Sequence, residues 1–284
     1  MAETMDLAFT VTTDSLPAKV SEVIRAAAIE KLQDVPRLRQ YGMTVTMPDK
    51  GAMNYYYYMY SDVGDADEVS EAADFVYDDA DATQGSVAVK KYGKGFKISW
   101  EADNLNKLQL RAAQSKQCIS KVLLKEDELI ITRLIADTNN TYAATQGAWS
   151  ASTADPVQNI RRAVRLMKND GYDADAIMLN PTNAEELMSF VAQNLFYGLT
   201  EKTVTAGILP KFMGLDIIQS NSVTEGTAIV LKTGSSGAFE VGEAMKLGLN
   251  IFDDNDAQVV KVQAYERIGV AVVRPDAICT ITSI

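Results

Sequence analysis

The sequence predicts an α+β fold, and three observations carry that reading. A run from Asn104 to about Asp137 contains no Gly or Pro, and its apolar residues recur at steps of four and seven. Residues from Asp155 to about Asn194 read helix, strand, helix, and from Phe212 onward the chain turns to short β patterns. With 284 residues there is room for one large domain or two interleaved ones, at roughly 150 residues per domain. Apolar residues make up 47% and charged residues 23%, which excludes a disordered, collagen-like or disulfide-dense chain.

An N-terminal arm comes first. Ser15 and Pro17 then suit a helix start, Val20, Ile24 and Ala27 or Ala28 form one face, and Pro36 ends the helix by pushing Val35 toward extended geometry. Ala52–Tyr60 (AMNYYYYMY) and Ser86–Trp100 (SVAVKKYGKGFKISW) are rich in aromatic and β-branched residues and read as the two arms of a long hairpin. The segment between them, Ser61–Gly85, holds nine acids and no Lys or Arg: Asp62, Asp65, Asp67, Glu68, Glu71, Asp74, Asp78, Asp79 and Asp81. Most of the net charge of −11 lies there. The returning arm carries Lys90, Lys91, Lys94 and Lys97, so a basic strand stands beside an acidic tip, an arrangement suited to pairing between neighbouring subunits.

The run from Asn104 to Asp137 is one long helix, with Leu108, Ala112, Ile119, Leu123, Ile130 and Leu134 as its stripe and a length on the order of 50 Å. A break near Lys116 is the competing possibility. Asn139–Ala154 reads as a loop and a candidate boundary. Asp155-Pro156 is an N-cap with Pro at the first helical position, Ile160, Val164 and Met167 are the buried stripe, and Gly171 closes the helix. Ala176–Leu179 is a short strand, and Thr182 with Glu185 forms a capping box for a helix through Leu187 and Val191. The expected strands that follow are Leu215–Gln219, Thr227–Lys232, Ala238–Val241, Ala257–Ile268, Gly269–Arg274 and Ala277–Ile281.

Much chemistry is excluded by what is missing. The chain has no histidine, which removes Ser-His-Asp and Cys-His sites, His-ligated zinc and a histidine pH switch. Cys118 and Cys279 are far apart and read as buried reduced thiols. No phosphate loop is present, and Gly93-Lys94-Gly95 lies inside a strand pattern. Gly234–Gly237 lacks the spacing of a nucleophile elbow and reads as a turn. Asp253, Asp254 and Asp256 have the composition of a cation site without the Gly and distal Glu of a calcium loop. The expectation is therefore a protein that is not an enzyme and has no cofactor and no metal. A metal-dependent enzyme would need carboxylates converging from distant segments, and a monomeric binding module is a further alternative.

The remaining exclusions concern partners. The Tyr run at Tyr55–Tyr58 and Tyr60 fits a strand with two aromatic faces better than a base-stacking platform. The acidic balance argues against a surface that grips phosphate or anionic lipid, so any DNA contact would be loose or local. No apolar stretch approaches the roughly 20 residues of a membrane span and no signal sequence is evident, so no membrane association and an intracellular site of synthesis are expected.

Three segments, taken in order, carry a family resemblance. They are Ser86–Leu105 (SVAVKKYGKGFKISWEADNL), Ala176–Leu187 (AIMLNPTNAEEL) and Tyr265–Thr282 (YERIGVAVVRPDAICTIT), the last with Glu266, Arg267, Arg274, Pro275, Ala277 and Ile278. Together with the order of parts, they resemble the major capsid protein of tailed bacteriophages, the Hong Kong 97-type fold. The resemblance implies an N-arm and short helix over 1–38, a P-domain strand over 39–51, the E-loop hairpin over 52–100, and the spine helix and P domain over 101–150. It further implies an A domain over 151–252, a P-domain strand over 253–268 and C-terminal A-domain strands over 269–284.

The function so implied is a coat protein that self-assembles into hexamers and pentamers of an icosahedral head around double-stranded DNA, held without sequence specificity. The partners would be further copies of itself, a separate scaffolding protein and a portal. The chain would be made in the host cytoplasm and reside in the virion. Candidate intersubunit contacts are Asp62, Asp65, Asp67, Glu68, Glu71, Lys90, Lys91, Lys94, Lys97, Arg267 and Arg274. Some family members crosslink an E-loop Lys to a P-domain Asn with the aid of a Glu. Here no Lys lies between Lys50 and Lys90, and Gln258 and Tyr265 stand at the Asn and Glu positions, so a shell without crosslinks is expected. No long charged scaffolding helix precedes the fold, so scaffolding falls to a separate protein unless such a segment was absent from this chain. An encapsulin-type nanocompartment shell shares the fold and is the alternative, although its N-terminal cargo-docking pattern is not evident.

Overall fold

The computed structural model describes residues 10–13, 38–60, 68–69, 75, 77, 79, 81–145, 147–151, 154–194, 211–234 and 237–284. The helix expected between Ser15 and Pro36 lies outside them, as do Asp62, Asp65, Asp67, Glu71, Asp74 and Asp78 of the acidic segment.

One helix of 37 residues, α1 (Trp100–Ala136), runs on the order of 55 Å through the fold. It begins ahead of the expected Asn104 because Ser99, in extended geometry, caps it: the Ser99 hydroxyl accepts from the Ala102 N–H at 3.3 Å. There is no break at Lys116. The expected stripe is buried at Ile119, Leu123, Ile130 and Leu134, each at most 1% exposed. At about 1.5–3 kcal/mol per side chain, these four decide which face of α1 turns inward.

Two sheets flank this helix. The first runs in the order β1 (Thr10–Thr13), β11 (Phe239–Asp254), β12 (Val259–Val272), β5 (Lys90–Ser99), with β2 (Met43–Thr46) also on β11. β1 and β2 lie parallel on the same edge of β11, at Gly248–Ile251 and Glu240–Glu243. The second sheet runs β6 (Asn140–Ala143), β13 (Ile278–Thr282), β10 (Thr227–Leu231), β7 (Ala176–Leu179), β9 (Leu215–Gln219), β8 (Lys211–Phe212). A separate hairpin pairs β3 (Asn54–Tyr60) with β4 (Ala82–Ala88).

The central strands of the second sheet are buried on both faces, which is why AIML, TAIVL and ICTIT read as continuous apolar runs instead of alternating ones. Ala176, Met178, Ile229, Leu231 and Ile278 face the C-terminal half of α1 and the first sheet. Ile177, Leu179, Val230, Cys279 and Ile281 face α2 (Pro156–Asn169) and α3 (Pro181–Asn194). α2 starts as expected, with the Asp155 carboxylate accepting from the Gln158 N–H at 2.9 Å, and Gly171 just beyond it takes φ +84°. Ile160 and Met167 of its stripe are fully buried, while Val164 packs at the margin.

Several expectations are corrected. The cap of α3 is Asn180, whose side-chain oxygen accepts from the Thr182 N–H at 3.0 Å, so Asn-Pro opens this helix as Asp-Pro opens α2. The expected loop at Asn139–Ala154 contains β6, parallel to β13, and a Trp149 that is only 3% exposed. The strand expected to end at Val241 continues as β11 to Asp254, and the two strands expected over Ala257–Arg274 are one, β12. Gly242 inside β11 serves close approach: a Cβ there would sit 2.5 Å from the Tyr55 ring, and β11 absorbs its irregularity in bulges at Glu243/Met245 and Met245/Gly248.

A buried charge cluster joins these parts. Arg39, in a 3₁₀ turn over Leu38–Tyr41, donates to Glu126 of α1 and Glu243 of β11, and its Nη2 lies 3.5 Å from Glu266 of β12. All four residues are at most 7% exposed. Burial pulls the Arg39 guanidinium down, but Glu126, Glu266 and Glu243 outweigh it and hold the group above its ordinary value. The neighbouring Leu38 N–H donates to Asp127 at 3.0 Å.

Arg39→Met leaves the buried carboxylates without this cation, and urea unfolding of the purified subunit is expected to show a loss of about 3–5 kcal/mol. Arg39→Lys should recover only part, because an ammonium cannot present a fork to several carboxylates. A second expectation concerns Cys279, fully buried, whose thiol is pushed up to about 12 by burial and then by Asp170. An unfolded thiol titrates near about 8.5, so folding retains a proton that unfolding releases. The associated stability is complete below about pH 8.5 and is lost as pH rises toward 12. Unfolding curves of Cys279→Ala across this range should fall less steeply than those of the unsubstituted chain.

Candidate functional site

Two surfaces able to engage another molecule are the β3–β4 hairpin and the edge strand β5. In the hairpin, strict alternation sends Tyr55, Tyr57 and Met59 to one face and Tyr56, Tyr58 and Tyr60 to the other. The first face packs at the root. Tyr55 is buried over Gly242, its hydroxyl donates to Glu240, and its ring stacks on Tyr57 at 6.4 Å. Burial and the Glu240 hydrogen bond both raise the Tyr55 phenol above its ordinary value.

The opposite face is open. Tyr56, Tyr58 and Tyr60 are 56%, 51% and 81% exposed, so three large aromatic rings stand in water on one side of a two-stranded ribbon. A Cβ at Gly85 would fall 2.4 Å from the Tyr57 ring, so Tyr57 lies across β4 at the one residue without a side chain. Of the candidate acids at the tip, Glu68 is described and exposed, and Asp62, Asp65, Asp67 and Glu71 lie outside the described residues.

The expected basic arm is divided, and the lysines are not on the hairpin. The returning strand breaks at Val89, whose buried side chain joins Tyr55, Ala244 and Ala271 and whose N–H donates to the Met53 carbonyl at 2.7 Å. Beyond it, Lys90, Lys91, Lys94 and Lys97 lie on β5, paired antiparallel with β12. Gly93 and Gly95 allow that pairing to be close: a Cβ at Gly93 would sit 2.9 Å from the Ala264 carbonyl oxygen, and one at Gly95 3.0 Å from that of Val262. All four lysines are exposed, and among the described residues the outer edge of β5 has no strand partner. Lys91 sits 4.2 Å over the Tyr265 ring. The basic edge thus belongs to a different element from the β3–β4 hairpin.

The two candidate arginines act within the chain. Arg267 donates to the carbonyls of Lys50 at 2.8 Å and Ala52 at 3.1 Å and so holds the segment leading into the hairpin. Arg274 donates to the Gly237 carbonyl at 3.0 Å. Gln258 lies in the β11–β12 turn at φ +50°. In the same turn Asp254 accepts from Lys261 and from the Ala257 N–H, contacts that lower its carboxyl below the usual range, Lys261 first. The Asp253, Asp254, Asp256 cluster is therefore a turn with its own cation, and among the described residues no group of His, Cys, Asp and Glu could hold a metal ion. No described helix is long and apolar enough to cross a membrane.

Sequence reasoning missed Arg39 and its glutamates, because their separations of 87 and 204 residues leave no local pattern. It also missed the root contacts of Tyr55, for which Gly242 was a visible but ambiguous sign.

Comparison with known proteins adds the following. The family described as phage capsid protein matches residues 83–281. No curated protein matches the chain in sequence. Among solved structures, the virus-like particle from Pyrococcus furiosus aligns with TM-score 0.64 at 14% identity, over 92% of this chain and 98% of that one. The capsid of Cyanophage P-SCSP1u aligns with TM-score 0.66 at 12% identity, over 86% of each chain. Mycobacterium phage Adephagia gives TM-score 0.64 at 13% identity, over 95% of this chain and 98% of that one. Such identities speak for the fold alone. The family match, covering well over half of the chain, speaks for membership, and with both in hand the chain belongs to the phage capsid protein family and has the Hong Kong 97-type fold.

Proposed function

We propose that copies of this capsid protein form hexamers and pentamers of an icosahedral head enclosing double-stranded DNA. The observation that carries the reading is the exposed face of Tyr56, Tyr58 and Tyr60, which a single chain leaves in water and a neighbouring copy would cover. Charge supports it. The acids Asp62, Asp65, Asp67, Glu68 and Glu71 are drawn to Lys90, Lys91, Lys94 and Lys97 of a neighbour, whose exposed side chains lie along the open edge of β5. Arg267 and Arg274, which hold the hairpin base and the turn at Gly237 within the chain, are further candidates for contact with a neighbour.

The role is structural, without a catalytic step. A net charge of −11 makes contact with DNA weak and indifferent to sequence. Scaffolding and portal functions fall to separate proteins, and the chain is made in the host cytoplasm before it enters the virion. Neighbours are held without covalent bonds, as the residues at Gln258 and Tyr265 and the absence of Lys between Lys50 and Lys90 suggest.

Size-exclusion chromatography with light scattering, followed by negative-stain electron microscopy, should give rings of five or six subunits or closed shells. Co-purifying DNA supports a phage head, and protein cargo would point to a nanocompartment instead. A monomer at every concentration, unchanged by crowding agents or a scaffolding partner, would overturn the reading. Denaturing gels of assembled particles should show the monomer band alone. Replacing Lys90, Lys91, Lys94 and Lys97 together by Glu should lower the assembled fraction by about twofold to a hundredfold, the effect of losing two or three exposed pairs at about 0.2–1 kcal/mol each. Raising salt should weaken the unsubstituted assembly in the same direction.

A further inference from the structure

The two helices on the outer side of the second sheet carry opposite charge. α2 contains Arg161, Arg162, Arg165 and Lys168 and no acid, whereas α3 contains Glu185 and Glu186 and no Lys or Arg. Ile160, Ala163 and Met167 hold the inner face of α2, so Arg161, Arg165 and Lys168, at steps of four and three, form one exposed stripe. Ala184, Leu187 and Val191 do the same for α3, where Thr182, Glu185 and Ser189 form the exposed stripe. Both helices pack into one apolar layer, so both stripes lie on the same side of the sheet.

Little within the chain uses these charges. Arg162 is turned to Tyr142, with Nη1 donating to the hydroxyl at 2.6 Å, and Lys168 meets Asp173 at 3.3 Å with both side chains mostly exposed. Among the described residues no carboxylate pairs with Arg161 or Arg165, and no cation pairs with Glu185 or Glu186, although Glu186 accepts from the Asn183 amide at 2.9 Å. A cleft of about 450 Å³ opens between α3 and the segment before α2, lined by Trp149, Ser150, Thr182, Glu185, Glu186 and Ser189. Trp149 is 3% exposed, and its Nε1–H, buried in that wall, has no acceptor among the described residues. The cleft thus combines two carboxylates, three hydroxyls and one unmet buried donor, in a protein whose α2 offers guanidinium groups at helical spacing.

We propose that this cleft is a docking site for a second copy of the chain, with Arg161, Arg165 and Lys168 of one copy seated against Glu185 and Glu186 of the next. The inference rests on the shell reading above and adds to it a contact that shares no residue with the hairpin or with β5. Guanidinium groups present a planar fork that suits paired carboxylates better than an ammonium does. Because cleft and stripe are different surfaces, the contact is head-to-tail, the kind that closes into rings.

Charge swaps test this. Arg161→Glu with Arg165→Glu makes both surfaces acidic, and Glu185→Arg with Glu186→Arg makes both basic; each is expected to lower the assembled fraction at least tenfold by light scattering while circular dichroism still shows a folded chain, with Glu185→Arg alone as the control that spares the Glu186–Asn183 hydrogen bond. The fourfold variant carrying all four changes restores complementarity and should assemble again. Mixing the two double variants should restore even-numbered rings, because an alternating ring matches at every contact and a five-membered one cannot. Undiminished assembly of both double variants would overturn the docking site and leave the shell reading standing. Loss in the double variants without recovery in the fourfold variant would also overturn it. Failure of the unsubstituted chain to assemble, even with crowding agents or a scaffolding partner, would overturn the shell reading on which it rests.

Discussion

The buried guanidinium of Arg39 is the constraint on which the other parts depend. It gathers Glu126 from α1, Glu243 from β11 and Glu266 from β12, three elements that carry most of the first sheet and its covering helix. In a dry interior a charge separated from its partner costs several kcal/mol, so none of these elements can slide by one residue without exposing that cost. Hydrophobic contacts along α1 are more forgiving, since one aliphatic side chain can replace another in roughly the same volume. The apolar layer makes α1 adhere, and the charge cluster decides where it stops.

That register propagates outward. Four residues beyond Arg39, β2 begins its parallel pairing with β11, and the pairing ends at Glu243, the residue that also meets Arg39. The Met47 N–H then closes on the Glu243 carbonyl at 2.8 Å, and the chain passes Arg267 on its way into the hairpin. At the root, Tyr55 lies over Gly242, a position on β11 next to Glu243, where any side chain would occupy the space of the ring. The direction of the hairpin is thus set by an absence of volume at one glycine and a buried ion cluster beside it. Its exposed aromatic face is delivered by a rigid base even though the ribbon itself makes few contacts with the core.

What the sequence made legible follows from the range of the forces involved. The Asp155-Pro156 cap, the strand Ala176–Leu179 and the stripe of α1 rest on neighbours within a few residues, and each stands where expected. The Asn180-Pro181 cap obeys the same rule but was hidden by the competing Thr182 and Glu185 spacing. The division of the segment Ser86–Trp100 was not legible, because alternation continues through Val89 and only the distant partners differ: Tyr55 and its neighbours for β4, and β12 for β5. The same holds for the lysines, whose identity was plain and whose strand was not. The continuity of β11 and β12 was not legible either, because Gly242 and Gly269 sit where another segment approaches and that approach leaves no local mark. The family resemblance survived these errors since it rests on the order of parts along the chain, which mistaken pairings do not disturb.

The distribution of charge is the feature that ties fold to assembly. A chain that mixed its acids and bases on every element would satisfy them internally, in i to i+4 pairs such as Arg133 with Asp137, and would present a neutral surface to its neighbours. Here α2 is wholly basic, α3 wholly acidic, β5 carries four lysines, and the hairpin tip holds most of the net negative charge. The basic and acidic sets of α2, α3 and β5 sit on separate elements, and in the assembly proposed above the attraction between them is met by another copy. Each exposed contact is worth less than about 1 kcal/mol and is screened by salt, so a wrongly placed subunit can leave again. In a symmetric shell the same contact recurs at every subunit, and the sum holds what no single pair would. The non-crosslinked coat proposed above needs that combination, weak where one copy meets another and strong only when the ring is complete.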